Sequence, residues 1–217
     1  MPELKLRLGG RQAAVGIDTA IIAGWTARDR EAVERHIAEL EALGVARPSS
    51  APVFYRVSAS RVTTSEEIES PSAATGEVEA VLLGHGGRLW VGVGSDHTDR
   101  DVETYSVAVS KQLCDKPMAA DLWAFDEVAD HWDQLTLRSW IDGDVLYQQG
   151  ALDTLMHPDQ LLSLAPRLGD GTLMFCGTLA AIGDIRPASL FRYELEDHVL
   201  GRRIAARYCI RPLPLIS

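Results

Sequence analysis

Apolar positions along this chain fall mostly into short alternating runs, with few helical stripes. Leu4, Leu6 and Leu8 alternate with charged residues, and residues 13–17 resume the pattern after Gly9-Gly10, which predicts an opening hairpin. A helix is predicted next. Thr26 caps it, Asp29 complements the dipole in its first turn, Val33, Ile37 and Leu40 form its apolar stripe, and Gly44 ends it. Residues 48–52 then read as a loop and 53–58 as a strand, whereas the Ser/Glu-rich residues 63–75 read as a loop or lid. Two further hairpins are predicted, 77–83 with 88–93 through Gly84-His85-Gly86-Gly87, and 135–141 with 145–149 through Asp142-Gly143-Asp144. Short helices are expected at 102–113 and 158–168, and strands at 172–176, 190–195 and 203–210. With strands outnumbering helices and no internal repeat, the expected class is α+β, β-rich and mainly antiparallel.

The length of 217 residues points to a single domain over residues 1–217. Acidic residues outnumber basic ones by 31 to 21 and no Lys/Arg block stands out, so no nucleic-acid partner is expected. Cys114, Cys176 and Cys209 are odd in number and widely spaced, which argues against a disulfide framework or a zinc ribbon and fits a reducing cytoplasm. No run approaches the roughly 20 apolar residues of a membrane helix, and the start of the chain lacks the apolar stretch of a secretory leader.

Candidate chemistry concentrates in the middle of the chain. Glu77 and Glu79 flank Val78 in an apolar strand pattern, so both carboxylates share one face, roughly 7 Å apart along the strand. Two readings stand. The face can lie in water at a sheet edge, or the two anions can be held together by a cation, because burying them uncompensated costs several kcal/mol. Three more carboxylates, Asp96, Asp99 and Asp101, follow the partner strand. Hard oxygen donors of this kind favour magnesium, manganese or calcium over zinc. His85 and His97 lie close by in sequence but lack ligand spacing, and each reads as a turn or surface residue. His36 and Glu39 stand three apart on the first helix, with His36 inside its apolar arc. His36 is therefore either a core histidine satisfied by a carbonyl or a general base oriented by Glu39. Lys111 and Lys116 flank Leu113-Cys114-Asp115, and a lone lysine is ordinarily solvated. The loop after Gly177-Thr178 lets backbone approach a ligand or simply turns. There is no P-loop, dinucleotide fingerprint or nucleophile elbow.

Taken in order, these segments resemble the fumarylacetoacetate hydrolase superfamily. His36-Ile37-Ala38-Glu39 matches its lid-helix pair, Gly76-Glu77-Val78-Glu79 its first metal motif, and Asp96-His97-Thr98-Asp99-Arg100-Asp101 its DxTxRD motif. Lys116 corresponds to the active-site lysine, Trp140-Ile141-Asp142-Gly143 to a second hairpin, and residues 171–183 to a glycine-rich segment. Three departures mark a divergent branch. Leu179 stands where the family has proline after Gly-Thr, Arg56 replaces a strand lysine, and the interval between Glu79 and Asp96 is short.

The resemblance implies twisted, mixed β-sheets rolled around a metal site, commonly in a homodimer. Glu77, Glu79 and Asp96 would hold Mg2+ or Mn2+, with Ca2+ as a further fit. The substrate would be a small 2-oxo or 1,3-dicarbonyl acid resembling an acylpyruvate, cleaved at a carbon–carbon bond. His36, Glu39 and Lys116 would be catalytic, and Arg56, Arg100 and Thr178 would bind substrate. A lyase or isomerase acting on a 2-oxo acid is the alternative within enzymes, and a non-catalytic, metal-stabilised binding protein is the alternative outside them.

Overall fold

The computed structural model describes residues 3–42 and 47–214, except the side chains of Ala32, His36, Glu39, Leu40 and Ala42. Two sheets dominate. The larger has eight strands, in the order Arg11–Gly16, Glu3–Leu8, Asp121–Ala124, Arg88–Ser95, Val78–His85, Thr172–Thr178, Thr19–Gly24 and Val53–Val57. The smaller has five, in the order Val145–Ala151, Thr136–Ile141, Leu190–Asp197, Arg202–Leu213 and Glu67–Pro71. Both are mixed. Glu3–Leu8 runs parallel to Asp121–Ala124, Thr172–Thr178 to Thr19–Gly24, and Arg202–Leu213 to Glu67–Pro71, among otherwise antiparallel neighbours.

The central strand Val78–His85 is buried on both faces, which explains its almost unbroken apolar run. Val78, Ala80 and Leu82 pack between the sheets with Leu137, Tyr193 and Tyr208, while Val81 and Leu83 face a second cluster built on Leu4, Leu6 and Phe175. By alternation Glu79 projects from the same face as Val81. This β-rich, curled arrangement of mixed sheets is the fold class expected from the sequence.

Several local expectations change. The helix spans Arg30–Ala42 and begins after Asp29, whose carbonyl accepts from the Val33 N–H at 3.0 Å. Thr26 is buried before it, at a bridge in which Ala27 pairs with Leu155, so it does not cap this helix. Val33 and Ile37 of the predicted stripe are buried, whereas the Leu40 side chain and Gly44 lie outside the described residues. The stretch expected to be a loop or lid contains strands Val62–Thr63, Glu67–Pro71 and Ala74–Thr75. It looks polar because Glu67–Pro71 is an edge strand that buries only Ile68 and Ser70, with Pro71 tolerated at the edge. Thr19–Gly24 and Asp121–Ala124 are further strands that the periodicity did not separate from their surroundings.

The expected helix at 102–113 is two pieces, Arg100–Glu103 and Val107–Leu113. Each has its own cap: Asp99 Oδ1 accepts from the N–H groups of Asp101 and Val102, and Ser106 Oγ from that of Val109. The last helix, Pro158–Leu164, stops before Pro166, which disfavours helical backbone in the residue preceding it. No helix among the described residues is long and apolar enough to cross a membrane.

Candidate functional site

The hairpin Val78–His85 and Arg88–Ser95 pairs Val78 with Ser95 and Glu79 with Gly94. The next residue on each side continues the register, with the Asp96 N–H donating to the Glu77 carbonyl at 2.9 Å. The hairpin therefore carries Glu77, Glu79 and Asp96 to one place, and one carboxylate oxygen from each lies within 4.8 Å of the others. Glycine is required opposite Glu79, because a Cβ on Gly94 would stand 2.7 Å from the Phe175 ring and 2.9 Å from the Pro117 carbonyl oxygen. Glu79 is aimed from the other side. Its Oε2 accepts from the Gly177 N–H at 2.7 Å, where the strand Thr172–Thr178 passes through an irregularity and Gly177 adopts φ +104°.

Three cations meet this cluster. Lys111, only 6% exposed, donates to Asp96 Oδ2 and lies 3.5 Å from Glu77 Oε2. Lys116 is fully buried behind Asp96, with Nζ 2.5 Å from the His97 carbonyl oxygen and 3.1 Å from Asp96 Oδ1. Arg100 lies 3.0 Å from Glu77 and 2.7 Å from Glu103, and its Nε donates to Thr75 Oγ1 at 2.7 Å. Burial raises the Glu79 pKa well above the usual carboxylate range, helped by the Asp96 charge. Burial alone would raise Asp96 too, but Lys111 and Lys116 outweigh it and hold its pKa down. Burial likewise opposes charge on Lys111, yet Asp96, Glu77 and Glu79 together raise its pKa, whereas Lys116, desolvated and beside Lys111, has its pKa lowered.

The buried Asp96 Oδ1 has no hydrogen-bond partner despite the nearby ammonium of Lys116. Three carboxylates that each offer an oxygen within 4.8 Å of the others, two of them buried, are the donor set of a divalent-cation site, and a set made only of hard oxygens suits Mg2+ or Mn2+. The residues fit such an ion.

The cluster opens into a cavity of about 690 Å³ whose wall includes Tyr55, Tyr147, Gln148 and the residues 177–181, with Lys111 and Arg100 beside Glu77 and Glu79. Gln148 ties the wall together. Its amide nitrogen donates to Thr178 Oγ1 at 2.8 Å and the Leu179 carbonyl at 2.6 Å, and its oxygen accepts from Val78 N at 2.9 Å and Ser139 Oγ at 3.0 Å. Thr178 lies on the wall, but its hydroxyl is engaged, accepting from Gln148 and donating to the Val78 carbonyl at 2.9 Å.

Not every candidate comes to this place. Arg56 points away from the cavity, because strand alternation that turns Tyr55 inward turns Arg56 out, where it is exposed and lies 3.4 Å from Thr19 Oγ1. The side chains of His36 and Glu39 lie outside the described residues, although Val33, on the same helix, lines the cavity. His97 is neither a turn nor a surface residue. It is wholly buried, with Nδ1 3.0 Å from the Tyr208 hydroxyl, because the Asp96 segment folds inward beneath the carboxylates. Lys111, read from sequence as solvated, is the lysine that faces the cavity. Its short helix exposes Val109 and Leu113 while burying Ser110 and Lys111, the reverse of an ordinary surface helix, and this only the fold reveals.

Solved structures share this architecture at low sequence identity. A fumarylpyruvate hydrolase from Pseudomonas aeruginosa, solved with Mn2+ and pyruvate, is 19% identical with a TM-score of 0.65 over 96% of this chain and 97% of its own. A candidate fumarylacetoacetate isomerase/hydrolase from Oleispira antarctica is 17% identical with a TM-score of 0.71, covering 96% of this chain and all of its own. The 5-carboxymethyl-2-hydroxymuconate delta-isomerase from Mycobacterium smegmatis is 14% identical with a TM-score of 0.66 over 93% of this chain and 80% of its own. The fold is thus fumarylacetoacetate hydrolase-like. No curated protein matches the sequence. A family model described as "Protein of unknown function (DUF2848)" matches residues 23–208, most of the chain, and the chain belongs to that family.

Proposed function

We propose that this chain is a divalent-metal-dependent enzyme that cleaves a carbon–carbon bond in a small 2-oxo or 1,3-dicarbonyl acid of the acylpyruvate kind. The observation that carries the reading is the convergence of Glu77, Glu79 and buried Asp96, within 4.8 Å, beside a cavity large enough for a small acid whose wall includes the two glutamates. When bound there, Mg2+ or Mn2+ would supply Lewis acidity to the adjacent oxygens of such a substrate.

The chain's own groups have separable roles. Lys116 and Arg100 hold Asp96 and Glu77 in place as positioning residues. Arg100 and Lys111 present positive charge to the cavity, against the charge that develops as the carbon–carbon bond breaks. His36, oriented by Glu39, takes a proton from the attacking water, and Val33 on the cavity wall supports the placing of their helix over the site. The hydrolase with Mn2+ and pyruvate among the similar structures supports this reaction class.

A second reading, isomerisation or dehydration of a 2-oxo acid, is favoured by Tyr55 and Tyr147. Both line the cavity, and burial raises the pKa of both phenols, so each stays neutral there and able to donate a hydrogen bond to a substrate oxygen. Incubation with a panel of acylpyruvates in heavy water, followed by NMR, separates the two. Cleavage products with Mn2+ or Mg2+ are expected. Deuterium uptake next to the carbonyl without cleavage would replace the hydrolase with the second reading, and neither event with any 2-oxo acid would favour a non-catalytic binding protein. A homodimer is proposed as the assembly, with sedimentation as its test.

A further inference from the structure

We infer that Lys111 is a built-in counter-cation of the carboxylate cluster, which holds Glu77 and Asp96 together until a divalent ion displaces its ammonium and so sets the affinity of the site for metal. This rests on the metal reading above. The ammonium stands where it bridges two of the three carboxylates, donating to Asp96 Oδ2 with Glu77 Oε2 at 3.5 Å. It is buried and belongs to the short helix Val107–Leu113, whose buried residues are Ser110 and Lys111, so the helix delivers this charge on its inward face.

The cluster already has compensation without it. Lys116 neutralises Asp96 from behind and Arg100 neutralises Glu77 from the side, and neither stands between the carboxylates. Lys111 alone among the three bridges them on the cavity side. A divalent ion ligated by Glu77, Glu79 and Asp96 and an ammonium bridging two of them need the same lone pairs and repel at this range. Their binding is mutually exclusive or strongly antagonistic, and by linkage whatever removes the lysine charge strengthens the metal. The open volume beside Lys111 gives its flexible chain somewhere to go, turning the ammonium into the cavity where an anionic ligand would meet it.

Manganese titration of the full chain by calorimetry, with free Mn2+ read by its electron-paramagnetic signal, tests the inference on wild type, Lys111→Met, Lys111→Gln and the Glu79→Gln control. Both lysine variants are expected to bind Mn2+ roughly 10- to 100-fold more tightly than wild type, the scale on which groups around a metal's ligands act. Glu79→Gln is expected to lose binding. If wild type binds Mn2+ and a folded lysine variant binds it equally or more weakly, Lys111 is not a competitor, while the metal reading survives. If neither wild type nor the lysine variants bind, both fall. For a case in which both variants fail to fold, lysine side-chain NMR of the wild type with Mg2+ decides. The Lys111 ammonium resonance should shift and lose its hydrogen-bonded character on saturation, and an unchanged resonance in the metal-bound protein overturns the inference.

Discussion

The substitution Gly177→Ala probes the link between backbone geometry and the carboxylate cluster. Gly177 holds φ at +104°, and its N–H donates to Glu79. A side chain at that φ costs about 1–3 kcal/mol. The added Cβ would also stand 1.8 Å from Thr26 Oγ1 and 3.0 Å from Thr26 Cβ, inside a wall that includes the buried Thr26. Overpacking of this kind costs about a further 1–3 kcal/mol. Together they come to on the order of 4 kcal/mol, or roughly 10 °C in Tm for a chain of this size. The two contributions separate in a double-mutant cycle. In a Thr26→Ala background the hydroxyl overlap is gone and the strained φ is not, so Gly177→Ala should cost roughly 1–2 kcal/mol less there. Urea and thermal melts of the four proteins provide the numbers. Manganese affinity should fall with Gly177→Ala as well, because any shift of this N–H releases the donor that aims Glu79. A Gly177→Ala protein that melts within about 2 °C of wild type would refute the reasoning, and a cost independent of residue 26 would refute the steric half of it.

Two further outcomes follow from the geometry. His97 is buried and neutral, its pKa pushed down to about 3 by burial and by the Lys116 charge, against 6.5 in the unfolded chain. Because the unfolded chain binds a proton the fold refuses, the contribution of His97 is intact above pH 6.5 and is lost at up to about 1.4 kcal/mol per pH unit as pH falls toward 3. Urea midpoints measured from pH 7.5 to 4.5 should show a shallower decline in His97→Asn than in wild type, and equal slopes would contradict the assignment. His36→Ala and Glu39→Gln should each lower hydrolytic turnover by roughly 10² to 10⁴, the range for loss of general-base assistance, with little change in manganese affinity. Full activity in either variant would remove the pair from the mechanism.

What could be read from the chain was local. The spacing of Glu77 and Glu79 fixes their common face through the strand period alone, and Gly84-His85-Gly86-Gly87 closes the hairpin that brings Asp96 beside them. The site's other partners depend on distant packing. Lys111 matters only because Val107–Leu113 folds over the hairpin, and no pattern in its own neighbourhood specifies that docking. Arg56 looked available to a ligand until its strand took a register that turned Tyr55 inward. Gln148 is one of two glutamines on a hairpin strand, and its four hydrogen bonds come from residues between 9 and 70 positions away. Edge strands such as Glu67–Pro71 look like loops because one face meets water and only Ile68 and Ser70 are buried. Conversely, Thr19–Gly24, inside the sheet, shows a continuous apolar run without alternation, which periodicity cannot tell from a helix start.

The central claim is that three carboxylates form one divalent-metal site. An anomalous difference map at the manganese edge, from crystals grown in millimolar Mn2+, addresses it directly. The account predicts one strong peak with an oxygen of Glu77, Glu79 and Asp96 each at about 2.0–2.6 Å and with the Lys111 ammonium moved off Asp96. A map with no peak between these carboxylates, and Lys111 still bridging Glu77 and Asp96, would contradict it.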